Sequence, residues 1–224
     1  MIPKSLLQKL DEGRQYRNID VSGFERRSDD DAGEKIVTGY ATRFNEPYEL
    51  YRVAYGGEVY IVREQIDRDA FTDCDMDDVI MQYDHEGRVF ARTSNGTLEV
   101  APDNVGLHIR AQLGGTELGR EVWDEIEGGY TTKMSFGFRV GQDKRERTEE
   151  RGEDTGVTTI TVLRTITRIS KLYDVSAVSL PANDATSISA RSFADGVIDA
   201  LKQERLAAEK RERQIKAIRV LCEL

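Results

Sequence analysis

Between residues 36 and 180 the chain is a succession of short runs in which apolar and polar residues alternate, most of them followed by a turn signal. Side chains alternate across a strand with a period of two, so such runs demand sheets with one face buried. The first is Ile36-Val37-Thr38-Gly39-Tyr40-Ala41-Thr42-Arg43-Phe44, turned by Asn45-Glu46-Pro47. Residues 48–62 are rich in Tyr and Val around Gly56-Gly57, which reads as a hairpin. Further strands are expected over 79–83, 89–93, 96–100, 106–113, 133–138, 157–169 and 172–180, the last stopped by Pro181-Ala182-Asn183. Asp67 or Asp69 is placed to cap a short helix through Phe71. The clearest helix is 116–127: Thr116 caps it, Leu118, Val122, Trp123 and Ile126 share a face, and Gly128-Gly129 ends it. The fold class that follows is α+β, a β-rich barrel or curled sheet with flanking helices.

The ends differ from this middle. Residues 1–35 form a polar N-terminal arm, with a short helix over 1–10 and an exposed acidic turn over 28–33. Residues 36–192 form the main domain. Inside it, 141–156 is almost wholly charged or polar and reads as a long exposed loop within a hairpin. Residues 193–224 read as a helical tail. Ala194, Leu201, Ala208, Ile215 and Cys222 repeat at seven-residue spacing, but Glu204 and Arg211 break the second seam between Val197 and Ile218. A solvated helix that touches a second subunit or another partner fits as well as a weak coiled coil.

Composition narrows the chemistry. With 41 acids against 32 bases the net charge is −9, which argues against nonspecific nucleic-acid binding. Cys74 and Cys222 are too far apart for a zinc spacing or a disulfide framework. The acidic stretch Asp73, Asp75, Asp77 and Asp78 lacks the glycine and closing glutamate of a calcium loop and reads as solvated. No phosphate loop or dinucleotide fingerprint is present, so neither cofactor nor metal is expected. No apolar stretch reaches signal-peptide or membrane-spanning length, which points to a soluble, cytoplasmic protein.

Three polar residues stand out on or beside apolar strands. Ser135 lies in Lys133-Met134-Ser135-Phe136-Gly137-Phe138, opposite an apolar face and beside Gly137, where the backbone can be approached closely. His85 follows the apolar run Val79-Ile80-Met81-Gln82-Tyr83 at a turn. Asp174 interrupts another apolar run, and a buried carboxylate needs a cation or a histidine beside it. Together they supply a nucleophile, a base and an acid to hold the base's tautomer. No Gly-x-Ser-x-Gly elbow surrounds the serine, which disfavours an α/β-hydrolase. His108, on the polar face of strand 106–113, is the other histidine.

Five ordered motifs carry a resemblance. Residues 38–45 are similar to a "GYA-x-x-FN" strand, and Asp69-Ala70-Phe71 to a "GAF" segment with Asp69 in place of glycine. Tyr83-Asp84-His85 resembles an "N-H-D" histidine motif, with Asp84 for asparagine and Glu86 after the histidine. Gly106-Leu107 and then Met134-Ser135-Phe136-Gly137-Phe138 resemble "GL…MS-x-GF", and residues 172–182 resemble "L-x-E-V-S-x-V-x-x-P-A". The chain thus resembles the prohead (capsid maturation) proteases of tailed bacteriophages over residues 36–192. The resemblance implies a serine endopeptidase with a herpesvirus-assemblin-like fold, His85 as general base and Ser135 as nucleophile. Asp174 stands where glutamate is common and is the expected third member, with His108 ranked below it. The implied job is cleavage of the scaffolding domain of the major capsid protein, and of the protease itself, inside the assembling prohead in the host cytoplasm. Implied partners are the major capsid protein, the portal and a second copy of the chain, with no direct nucleic-acid or membrane contact. A catalytically silent assembly or scaffolding protein of the same fold is the alternative.

Overall fold

The computed structural model describes residues 13–19, 25–27, 35–152, 156–178 and 184–222. The expected features over 1–10, 28–33 and 181–183 lie outside these residues. The strands are β1 (Gln15–Ile19), β2 (Glu25–Arg27), β3 (Ile36–Arg43), β4 (Tyr48–Tyr55), β5 (Glu58–Ile66), β6 (Ile80–Tyr83), β7 (Glu86–Arg92), β8 (Leu98–Pro102), β9 (Gly106–Gln112), β10 (Lys133–Arg151) and β11 (Thr158–Val178). The helices are α1 (Glu117–Glu127) and α2 (Asp184–Cys222).

The spine is β11. One edge pairs antiparallel with β10; the other pairs in parallel with β5 and, further along, with β6. The larger sheet runs β1-β10-β11-β5-β4, with β6 and β7 carried on the far half of β11. A second sheet runs β2-β3-β9-β8. The larger sheet is curled: β10 and β11 separate β1 from β5 in strand order, yet Arg17 Nε reaches Glu64 Oε1 at 2.5 Å. Neither sheet closes into a barrel, which corrects that half of the expectation. Closure needs backbone pairing between edge strands; here side chains from β1, β4 and β5, namely Arg17, Tyr48 and Glu64, span the gap instead.

The core lies between the sheets. Val37, Leu107, Ile109 and Ala111 pack with Met134, Phe136, Phe138 and Val175, and Val122 and Ile126 of α1 join them. Phe136 and Phe138 stack at 4.6 Å, and burying each ring contributes about 1.5–3 kcal/mol. Gly56 and Gly57 both have positive φ, as a two-residue hairpin turn requires, so β4 and β5 pair directly. Thr116 Oγ1 accepts the Gly119 amide at 3.0 Å and caps α1. The segment after Asp67 forms hydrogen-bonded turns, not the expected short helix. Asp75 and Asp78 of the acidic stretch pair with Lys171 and Arg92.

Three other expectations need correction. Residues 15–19 of the polar arm are a strand in the main sheet, with Tyr16 and Arg17 buried. The charged loop over 141–156 is largely strand: β10 runs to Arg151 and pairs with Thr158. A ribbon wet on both faces shows no apolar alternation, and its Thr- and Ile-rich partner supplies the β-propensity. The tail helix starts at Asp184, ahead of the expected 193, and uses only the beginning of the heptad pattern to pack. Val197, Ile198 and Leu201 lie against Tyr60, Val62 and Ile160, while Ile215 is exposed.

Candidate active site

Register brings the first two residues together. On β10 and β11, Ser135 lies opposite Ser176 and Gly137 opposite Asp174. Ser135 and Asp174 are therefore diagonal neighbours on one face of the sheet, with the apolar Met134, Phe136 and Val175 on the other. Gly137 makes the approach possible. A Cβ there would strike the Asp174 carboxylate and the Tyr16 ring.

His85 arrives from the adjacent edge. Tyr83 pairs with Glu86, so Asp84 and His85 are the two central residues of a hairpin turn, with φ of 48° and 62°. Both positive values match a turn of the I′ kind, and Asp and His tolerate this region better than branched residues. The Asp84 amide donates to Ala177 O at 3.0 Å and fastens the turn to β11. The imidazole thus projects over the Ser135–Asp174 diagonal.

The three side chains meet. His85 Nδ1 is hydrogen-bonded to Asp174 Oδ1, and His85 Nε2 lies 2.6 Å from Ser135 Oγ. Ser176 Oγ donates to the same Asp174 oxygen at 3.0 Å. An ionised carboxylate only accepts, so Nδ1 carries the imidazole proton and Nε2 is left as an acceptor facing the hydroxyl. This arrangement can take the serine proton and return it to a leaving group. The exposures are 1% for His85, 0% for Ser135 and 1% for Asp174. His108 is elsewhere, in the second sheet, with its ring 5.3 Å from that of Tyr40.

A family model described as caudovirus prohead serine protease matches residues 22–198. The chain belongs to that family. Searches of curated proteins and of solved structures gave no match. The matched span of the prohead protease family holds His85, Ser135 and Asp174, and it begins after β1.

Four residues at or near the site escaped the sequence reading. Ser176 was readable, since it shares a strand face with Asp174 two residues earlier. Glu64 was readable by the logic applied to Asp174, being an acid in a Tyr- and Val-rich strand. Tyr16, whose ring lies 4.3 Å from that of His85, and Arg17 carry no signal, because their polar segment has no periodicity.

Gly137→Ala is expected to push Asp174 or Tyr16 aside. A misplacement on the order of 1 Å at a catalytic group lowers kcat/KM about 100-fold, and overpacking costs about 1–3 kcal/mol. Steady-state cleavage beside a thermal melt reads both; unchanged values in the two would mean that the close approach has no role.

Proposed function

We infer that this prohead-family chain is an active serine endopeptidase that cleaves the scaffolding domain of the phage major capsid protein, and its own chain, inside the prohead. The observation that carries this reading is the continuous hydrogen-bonded series Asp174–His85–Ser135. Ser135 Oγ attacks the scissile carbonyl carbon as His85 Nε2 takes its proton. His85 then protonates the leaving amine, and water releases the acyl group with His85 again as base. Asp174 holds the tautomer and stabilises the imidazolium, and Ser176 steadies Asp174.

Residues 36–192 act as the catalytic unit in this reading, and the tail from 193 serves targeting or self-association. The resemblance to herpesvirus assemblins belongs to the same proposal, supported by a nucleophile held within a strand instead of at an elbow. The major capsid protein is the principal partner, with the portal and a second copy of the chain as further ones. All meet the protease inside the assembling shell in the host cytoplasm. Removing a scaffold frees internal volume for DNA and makes assembly one-way. Among the described residues no helix is long and apolar enough to cross a membrane.

The complete burial of the three side chains favours one competing reading, a catalytically silent assembly protein. Co-expression with the capsid protein separates the two, comparing wild type with Ser135→Ala by intact mass. Loss of a defined piece of the capsid protein with wild type alone is the expected result. Uncleaved capsid protein in both, with co-assembly demonstrated, supports the silent protein. Cleavage in both moves the nucleophile to another residue.

A further inference from the structure

We propose that β1 occupies the substrate groove of its own chain, and that substrate binds in its place as an extended strand on β10 with an arginine side chain held by Glu64. This rests on the reading of Ser135 and His85 given above. β1 is an edge strand that pairs only with β10 among the described strands, antiparallel, with Asn18 opposite Ser135. An extended segment added to a free sheet edge is a standard way to hold a peptide: the main chain gives affinity and alternate side chains give specificity.

The segment covers the reacting atoms. Arg17 O lies 3.0 Å from Ser135 Oγ, and the Tyr16 ring packs on His85. The Ser135 hydroxyl has one proton and faces two acceptors, Arg17 O and His85 Nε2. A substrate carbonyl carbon must stand within reach of Oγ, where the backbone of β1 now lies. With Ser135 wholly buried, a protein substrate enters only after β1 leaves.

The Arg17 side chain identifies what the groove recognises. Its guanidinium is buried, with Nε 2.5 Å from Glu64 Oε1 and Nη2 3.0 Å from Glu64 Oε2. Glu64 is fully buried and also accepts from Tyr48 at 2.6 Å and from Arg164 at 2.9 Å. Arg164 is shared, since its Nε is hydrogen-bonded to Asp143. Without Arg17, the buried Arg164 would face both Glu64 and Asp143, with the exposed Arg145 beside Asp143 at the rim. A buried carboxylate so deprived demands another cation, and the planar fork of arginine fits it better than an ammonium. The groove lies within residues 22–198 shared with the family, whereas its occupant lies outside them.

The test is labelling of Ser135 by a fluorophosphonate, which phosphonylates a reactive serine with loss of fluoride. If the closed form is populated about nine to one, Arg17→Ala is labelled about tenfold faster than wild type. Tyr16→Ala removes the ring over His85, leaves Glu64 its arginine, and gives the same direction should Arg17→Ala not fold. A synthetic peptide of residues 13–20 added to the opened variant restores slow labelling; the same peptide with Arg17→Ala does not, and Glu64→Gln abolishes the difference between the two. Wild type labelled at Ser135 as fast as both opened variants overturns the occupancy of the groove while leaving the catalytic assignment intact. Equal protection by the two peptides overturns the role of Glu64. No labelling of any folded variant, together with uncleaved capsid protein, removes the catalytic assignment and this proposal with it.

Discussion

Asp174→Asn is expected to lower kcat about 10⁴-fold while leaving the fold intact. The wild-type carboxylate only accepts, which fixes the proton on His85 Nδ1 and leaves Nε2 open to the Ser135 hydroxyl at 2.6 Å. An asparagine presents an NH₂ as readily as a carbonyl. When the NH₂ faces Nδ1, the imidazole proton moves to Nε2, and the base then has no lone pair for the serine. The Ser176 hydroxyl, bonded to the same Asp174 Oδ1 at 3.0 Å, leaves that outcome open, because a hydroxyl rotates to accept from an NH₂ as readily as it donates to an oxygen. Ser135→Ala is expected to cost about 10⁶-fold, and the double variant no more than Ser135→Ala alone, since residues acting as one unit are not additive. Single-turnover cleavage of the capsid protein gives all three rates. Asp174→Asn within tenfold of wild type, or effects that multiply in the double variant, would sink the assignment of Asp174.

What the sequence made legible follows where its local rules agree with the fold. Gly56-Gly57 demanded a tight hairpin, Thr116 demanded a helix start, and both are found. Asp174 in an apolar run demanded a partner, and His85 stands beside it. The geometry of the turn holding His85 was not legible, because left-handed backbone at Asp84 and His85 is imposed by pairing between β6 and β7 and by the anchor to Ala177. Residues 15–19 were missed for a related reason. Tyr16 and Arg17 are buried by what lies across the sheet, not by a pattern of their own, and a lone Arg becomes a core residue only when a carboxylate as remote in sequence as Glu64 meets it. The strand through 141–151 was hidden because both of its faces are wet, so that pairing with β11, and not burial, orders it.

Glu64→Gln is expected to weaken the closed arrangement of β1 by about 3–5 kcal/mol, the usual loss when one member of a buried ionic cluster is removed and its partners stay charged. Burial alone pushes the Glu64 carboxyl up, but Arg17 beside it, with Arg164 and the Tyr48 hydroxyl, carries it below its ordinary value of 4.5. A carboxylate depressed in the folded state stabilises that state above the unfolded chain's value and loses the contribution as pH falls through the folded one. Wild type and Glu64→Gln should therefore differ most near neutrality and converge as the pH drops through and below 4.5. Hydrogen exchange locates the loss. If β1 opens by itself, amides of 15–19 lose all the protection that closure gives them, about tenfold where the closed form is populated about nine to one, while those of β11 keep theirs, because local opening is governed by its own free energy. Equal losses in β1 and β11 would mean that the strand leaves only when the whole sheet unfolds, and a pH-independent difference would mean that Glu64 acts through shape and not through charge.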